Sequence, residues 1–452
     1  MQEVLFGYKL NPTTWAYVSA LMMIGIYFKF HRFWSVRNLD LVALIAFSPG
    51  FLLIYHGLLW QSTELMRAWG IVAADPVHHR QISAQLVQAG YIWLFAVGGF
   101  FLIRLLLDPM MVRRPLLEPN LSSSGLTFTG AALLVFLMTN VITCPNERLE
   151  YLLANQGVTE TRSPGYKPFY RLAELGDRAM VSGDRANPSP PRVAPAIAAE
   201  TRTVTILAHL AVVAGMVWIG LRHFGSIQTG AAAATLYLLS FSTSQLTSQM
   251  DHVLPAMLLL WAIAAYRRPL VAGLVLGLAA GLIYYPLFLL PLWFGFYWWR
   301  GAVRFGAGVV ISLAVLIVAL LFFSPELGTF GEQLRQMFGW RNPFGVKPTG
   351  IWQFWQPEYR IPVVALFVVI SAGLAIWPPH KNLGTLLSCS AAVMLGTQFW
   401  HADQGGLWVA WYLPLLILTI FRPNLEDRVA LSAVRPAWAF GRRRRIDPAV
   451  GR

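Results

Sequence analysis

The chain has 452 residues, of which 56% are hydrophobic and 12% charged, and it carries a formal net charge of +14. A soluble domain is about a quarter charged, so composition excludes that class and indicates a polytopic helical membrane protein. The basic excess does not point to nucleic acid: it sits in short clusters at the ends of apolar runs, where Lys and Arg set topology and meet anionic headgroups.

Taken in chain order, the apolar runs predict helices over about 14–30, 40–60, 90–107, 126–143, 203–222, 229–246 and 252–266. More follow over about 269–284, 286–299, 305–323, 361–377, 383–400 and 406–421. The expected fold is all-α and polytopic, with about 11–13 transmembrane helices in one domain over 1–430 and interfacial helices in the outer loops. Barrel strands are excluded because the apolar runs do not alternate. Residues 1–12 have no basic segment followed by a small-residue cleavage pattern, so no cleaved signal is expected.

One set of short loops carries Lys29, Arg32, Arg37, Arg104, Arg113, Arg114, Arg222, Arg267, Arg268, Arg300, Arg304 and Lys381. The opposite short loops carry little beyond Arg67 and Arg80. The first set is expected to be cytoplasmic, together with a basic tail over 431–452 that contains Arg442 to Arg445. That orientation fits a multi-pass protein of the cell membrane and leaves long outer loops at about 61–89, 144–202 and 324–360. The first of these has Leu65, Met66, Trp69 and Val72 at helical spacing, then a break at Asp75-Pro76. The second contains Asn187-Pro188-Ser189-Pro190-Pro191 and reads as a connector. The third is crowded with Phe338, Trp340, Phe344, Trp352, Phe354, Trp355 and Tyr359, which suit a membrane–water boundary or a stacking surface.

Ionisable residues near the outer ends are the candidates for chemistry, because burying them is costly. Asp75, with His78, His79 and Arg80 close behind, is a candidate proton acceptor, and Glu64 is the alternative. An Asp-Pro turn is the plain structural reading of Asp75. Gln249, Asp251 and His252 stand where a polar cluster opens an apolar helix, so they would either cap it or line a substrate site. His401 and Asp403 fall in a turn between two apolar runs and would form a polar rim. Gly273, Gly277 and Gly281 put small residues on one helix face, which suits close packing. Tyr285 precedes Pro286, where the chain can bend beside a cavity. The two cysteines, Cys144 and Cys389, indicate neither a disulfide framework nor a metal site.

The run from Gln249 to Arg304 resembles the integral-membrane glycosyltransferases of the GT-C fold, nearest to the group that uses polyprenol-phosphate sugars such as mannose. The resemblance rests on Gln249, Arg267-Arg268, Gly273, Gly277, Pro286, Pro291 and Trp299-Arg300, and on the late segment from His401 to Pro414. Ile283 stands where that group carries a basic residue. The resemblance implies a GT-C-like fold, a lipid-linked sugar as donor substrate, no separate cofactor, and inverting transfer of a hexose to an acceptor hydroxyl on the outer face. It also implies a catalytic carboxylate in an outer loop, the part of Asp75 or Glu64, with Gln249, Asp251, His252, Tyr285, His401 and Asp403 binding substrate. Two other classes stay open: a transporter or flippase, which would place ionisable groups such as His209 in mid-membrane, and a non-catalytic membrane scaffold.

Overall fold

The computed structural model describes residues 11–61, 76–111, 118–144, 195–324, 327–340 and 348–434. Within them the chain is helical and forms no strand; Asn382 and Val429 make an isolated bridge. Five stretches are long and apolar enough to cross a membrane: Val36–Trp60, Gln81–Met110, Ser123–Ile142, Ala199–Arg222 and Ala302–Phe322. Six shorter apolar helices accompany them. Large apolar side chains such as Ile103, Phe128, Val135, Val303, Val315 and Phe322 point outward. A soluble protein rarely exposes so much apolar surface, and this one is a multi-pass helical membrane protein.

The helices in chain order are α1 (Pro12–Tyr27), α2 (Val36–Ile45), α3 (Phe47–Gln61), α4 (Pro76–Leu107), α5 (Ser123–Ile142) and α6 (Pro195–Arg222). Then come α7 (Ile227–Leu239), α8 (Phe241–Gln245), α9 (Met250–Ala264), α10 (Pro269–Leu282), α11 (Leu290–Tyr297) and α12 (Ala302–Phe323). The last are α13 (Leu327–Met337), α14 (Arg360–Gly373), α15 (Leu383–Gln398), α16 (Leu413–Phe421) and α17 (Ala430–Ala433). Several start where the sequence supplies a cap. Asn11, Ser122, Ser226 and Asn382 each accept a backbone N–H of the first turn of α1, α5, α7 and α15, as short polar side chains do at helix starts.

The loops depart from expectation in two places, over 61–89 and over 144–202. The loop expected over 61–89 is helical from Pro76 onward, so α4 begins fourteen residues before the predicted 90–107. Its polar first turns hide a packing face: Val87 lies against Gly57, and Ser83 Oγ donates to the Gly57 carbonyl at 2.7 Å. The loop expected over 144–202 is helical from Pro195, whereas the loop expected over 324–360 contains the amphipathic α13, in keeping with a helix in an outer loop. The start of the expected tail at 431 also belongs to the body: Val434 is buried and Arg300 donates to the Leu431 carbonyl. The rest of that tail lies outside the described residues.

The glycine stripe packs as its spacing predicts. A Cβ on Gly273 would meet the Phe305 carbonyl oxygen at 2.1 Å, one on Gly277 the Ser312 hydroxyl at 2.0 Å, and one on Gly281 a Leu316 methyl at 2.1 Å. Glycine therefore lets α10 and α12 approach backbone to side chain.

Helix length positions the site. At 1.5 Å per residue, the 15-residue α9 and the 16-residue α15 are about 22–24 Å long, short of the ~30 Å hydrocarbon core. α4, with 32 residues, is about 48 Å long. The N-terminus of α9, the C-terminus of α15, the C-terminus of α10 and the residues before α16 meet beside the middle of α4, through Tyr91 and Phe95. A buried cluster of polar and aromatic side chains lies where the short helices stop and the long ones continue.

Candidate functional site

The turn that follows α15 is the centre of this cluster. Gln404 adopts φ 50° and Gly406 φ 98°, both in the left-handed region. A non-glycine residue there costs on the order of 1 kcal/mol or more, and the surroundings hold it. Gln398 Oε1 accepts the Gly406 N–H at 3.1 Å, and Thr349 Oγ1 accepts the Gln404 N–H at 3.0 Å. The same Thr349 hydroxyl donates to Asp403 Oδ1 at 2.5 Å, and the Thr349 N–H donates to the Ala402 carbonyl. Gly350, at φ 71°, lets this strap pass over the turn, since a Cβ there would lie 2.9 Å from the Gln404 Cα.

Five of the eight residues singled out from the sequence converge here. Asp251, His252, Tyr285, His401 and Asp403 are all buried. Asp251 and His252 lie in the first turn of α9. The Trp411 indole N–H donates to the Asp251 carbonyl at 3.0 Å, and the His252 ring stacks on Trp408 with centroids 4.1 Å apart and planes at 15°. Trp408 in turn stacks on Trp411 at 4.8 Å and donates its indole N–H to the Asp403 carbonyl. The Tyr285 ring lies 5.0 Å from His401, 5.4 Å from Trp400 and 5.4 Å from Trp411. Tyr284 donates its hydroxyl to Tyr285 Oη at 2.9 Å. Gln249 stands at the N-cap of α9, half-buried, without a side-chain capping bond. Asp75 and Glu64 lie outside the described residues.

His401 holds a fixed position in this cluster. The Asp403 backbone N–H donates to its Nδ1 at 3.0 Å. Its Nε2 is buried and has no hydrogen-bond partner among the described residues, and the same holds for Nδ1 of His252. Burial pushes the His401 imidazole down to about 4, against the pull of the Asp403 carboxylate. Among the described residues no three of His, Cys, Asp and Glu converge as a metal site would require.

An apolar cavity of about 260 Å³ adjoins the turn, lined by Phe95, Trp352, Trp355, Tyr359, Val363 and Phe399 among others. Phe399 joins the two regions: its ring lines the cavity, its carbonyl accepts the Trp352 indole N–H at 3.2 Å, and Trp400 and His401 follow it. The aromatics of the third expected loop thus divide. Trp352 is buried in this wall, whereas Trp340 is exposed.

Sequence reasoning assigned no site role to Trp400, Trp408, Trp411, Gln398 or Thr349. Trp408 and Trp411 were legible as a pair three residues apart beyond the Gly405-Gly406 turn, whereas Thr349 lies 54 residues from the Asp403 it bonds.

His209 is also buried, and both its nitrogens are engaged: Nε2 with the Thr247 carbonyl at 3.1 Å and Nδ1 with the Tyr237 hydroxyl at 3.1 Å. A carbonyl can only accept, so Nε2 carries the hydrogen and Tyr237 donates to Nδ1. This histidine is closed within the bundle. No protein-family model, curated protein or solved structure matches the chain.

Proposed function

We propose that this chain is a membrane glycosyltransferase with a GT-C-like architecture, transferring a hexose from a polyprenyl-phosphate donor to an acceptor hydroxyl. The observation that carries the reading is the junction at Phe399, where an apolar aromatic cavity adjoins a buried cluster of acidic residues, imidazoles and stacked indoles. A lipid-linked sugar has the same two parts, an apolar chain and a polar head whose sugar faces stack on aromatic rings.

In this reading the prenyl chain takes the cavity and the phosphate-linked sugar lies against the polar cluster. The acceptor oxygen attacks the anomeric carbon and gives its proton to a carboxylate. The bond between that carbon and the phosphate oxygen breaks, and polyprenyl phosphate leaves with the electron pair. Asp403 accepts from Thr349 and holds the turn, and Asp251, in the first turn of α9, is assigned as base. In this reading the end of the bundle that carries the basic loops faces the cytoplasm together with the C-terminus, and the cluster faces the outer side of the cell membrane.

The test is transfer of labelled hexose from a polyprenyl-phosphate donor by the purified protein in nanodiscs. Transfer is expected in the wild type, with Asp251→Asn slowed about 10²–10⁴-fold while folding as the parent does. Full activity of Asp251→Asn removes it as base. No transfer and no binding of any polyprenyl-phosphate sugar overturns the reading.

A further inference from the structure

The turn after α15 fixes one proton. A backbone N–H can only donate, so Nδ1 of His401, which receives the Asp403 N–H, must present its lone pair. In the neutral ring the hydrogen then sits on Nε2. A protonated ring would carry hydrogen on both nitrogens and set two donors against each other across the 3.0 Å between Nδ1 and the Asp403 nitrogen. The structure therefore selects neutral imidazole with an Nε2–H, and that donor is buried with no partner among the described residues. A buried donor is expensive to leave unmet, so this one is built for an acceptor that the described chain does not supply.

We propose that His401 is a neutral hydrogen-bond donor, through Nε2–H, to a phosphate oxygen of a ligand bound against the turn after α15. The phosphate identity rests on the function proposed above; the tautomer does not. The ring cannot also be the base, because its one lone pair is engaged by the turn. Tyr285 and Trp411 pack on it at 5.0 and 5.8 Å and Trp408 at 5.8 Å, so its plane is held and the donor is aimed before the ligand arrives. A donor so fixed reorganises little when charge grows on a departing phosphate. The charged and titratable groups facing it are Asp403 from its own turn, His252 from α9, Tyr285 from the bend before α11, and Arg360 from α14, whose guanidinium donates to the Trp400 carbonyl.

Two measurements on the full-length protein in nanodiscs test this. The first uses protein labelled with ¹⁵N-histidine, with the His401 resonances assigned by comparison with His401→Gln. The Nε2–H tautomer is expected from pH 8 to pH 5, with the Nε2 signal shifting when farnesyl phosphate is added. An imidazolium or an Nδ1–H tautomer in that range overturns the proposal, as does a signal that farnesyl phosphate leaves unmoved, which is the result if a water fills the donor's need. The second compares two variants. Gln places an N–H near the position of Nε2, whereas Asn places an acceptor near Nδ1 and no donor beyond it. Farnesyl phosphate affinity is expected to fall less than about fivefold in His401→Gln and about tenfold to a hundredfold in His401→Asn, the range of a hydrogen bond to a charged group. Equal affinities in the two overturn the proposal. Inorganic phosphate is the third arm: a His401-dependent gain that it reproduces without the prenyl chain assigns the site to free phosphate and overturns the lipid source. His401-dependent binding of farnesyl phosphate without any hexose transfer overturns the glycosyltransferase reading and leaves the donor assignment standing.

Discussion

The two ends of the bundle bury polar groups by opposite means. At the basic end Arg104 donates to both oxygens of Asp40 at 3.1 Å and to Asp108 Oδ1 at 2.8 Å, and Arg422 donates to Asp108 Oδ2 at 3.0 and 2.5 Å. Charges alternate along this chain, and it ties α2, α4 and the end of α16 together. At the other end the buried groups include uncharged rings, and nitrogens of His252 and His401 are left without partners among the described residues. A buried charge met within the fold is fastening. A buried donor held rigid and left unmet is the mark of a place for something else.

The largest effect that could break this contrast is at Asp108, a fully buried carboxylate serving two guanidinium groups. Asp108→Asn is expected to destabilise the protein by about 3–5 kcal/mol, because two buried cations lose their shared anion. Thermal unfolding in detergent measures this. An unchanged melting temperature shows that the network fastens nothing. Farnesyl phosphate affinity of the protein that remains folded is expected to stay within about twofold, since the network lies at the opposite end of the short helices.

Acid should act on the other end. His401 sits near 4 in the folded protein because of burial, and near the ordinary 6.5 when unfolded. Between those values the unfolded chain binds a proton and the folded chain does not, so stability rises with pH there. Its contribution is complete above about pH 6.5 and is lost as the pH falls toward 4, on the order of 3 kcal/mol in all. His401→Gln should flatten that part of the stability–pH curve. A slope retained in the variant assigns the acid sensitivity elsewhere.

Much of this contrast was legible in the sequence, and the remainder was hidden for definable reasons. Apolar runs of about 20 residues announce helices because lipid forces every backbone group to be paired internally. The polar start of α4 did not, because its buried face is carried by residues such as Val87 among glutamines, and it reads as a loop until its partner α3 is seen. Asp251, His252, Tyr285, His401 and Asp403 were visible as polar or aromatic residues at the ends of apolar runs. Their convergence was not, because it depends on four short helices stopping at one level. The Asp108–Arg422 pair spans 314 residues of sequence; Arg104 alone drew notice, and then as a loop charge.

A matched pair of glycines sharpens the comparison at smaller amplitude. A Cβ on Gly384 would lie 2.6 Å from Arg422 Nη1, and one on Gly405 would lie 2.4 Å from the Gln398 carbonyl oxygen. Both Ala variants are expected to lose about 1–3 kcal/mol from overpacking. Their effects on the ligand should differ: Gly384→Ala displaces a guanidinium from Asp108 and spares ligand binding, whereas Gly405→Ala moves the turn and weakens farnesyl phosphate binding. Equal effects on binding would mean that the two ends are not separable.

The smallest effect is the most local. Thr349 gives its hydroxyl hydrogen to Asp403 and takes the Gln404 N–H, so one oxygen ties the strap before α14 to the strained turn. Thr349→Val keeps the shape and removes both bonds, at a cost of about 1 kcal/mol in stability. The greater consequence should be geometric. With Asp403 released, its backbone N–H is no longer held on Nδ1 of His401, and the ring is free to exchange tautomers. The ¹⁵N spectrum of Thr349→Val is then expected to show an Nδ1–H population absent from the wild type, and Thr349→Ser, which keeps the hydroxyl, is expected to suppress it. A single Nε2–H tautomer in Thr349→Val would mean that the turn needs no strap, and that Gln398, holding the Gly406 N–H, fixes the histidine alone.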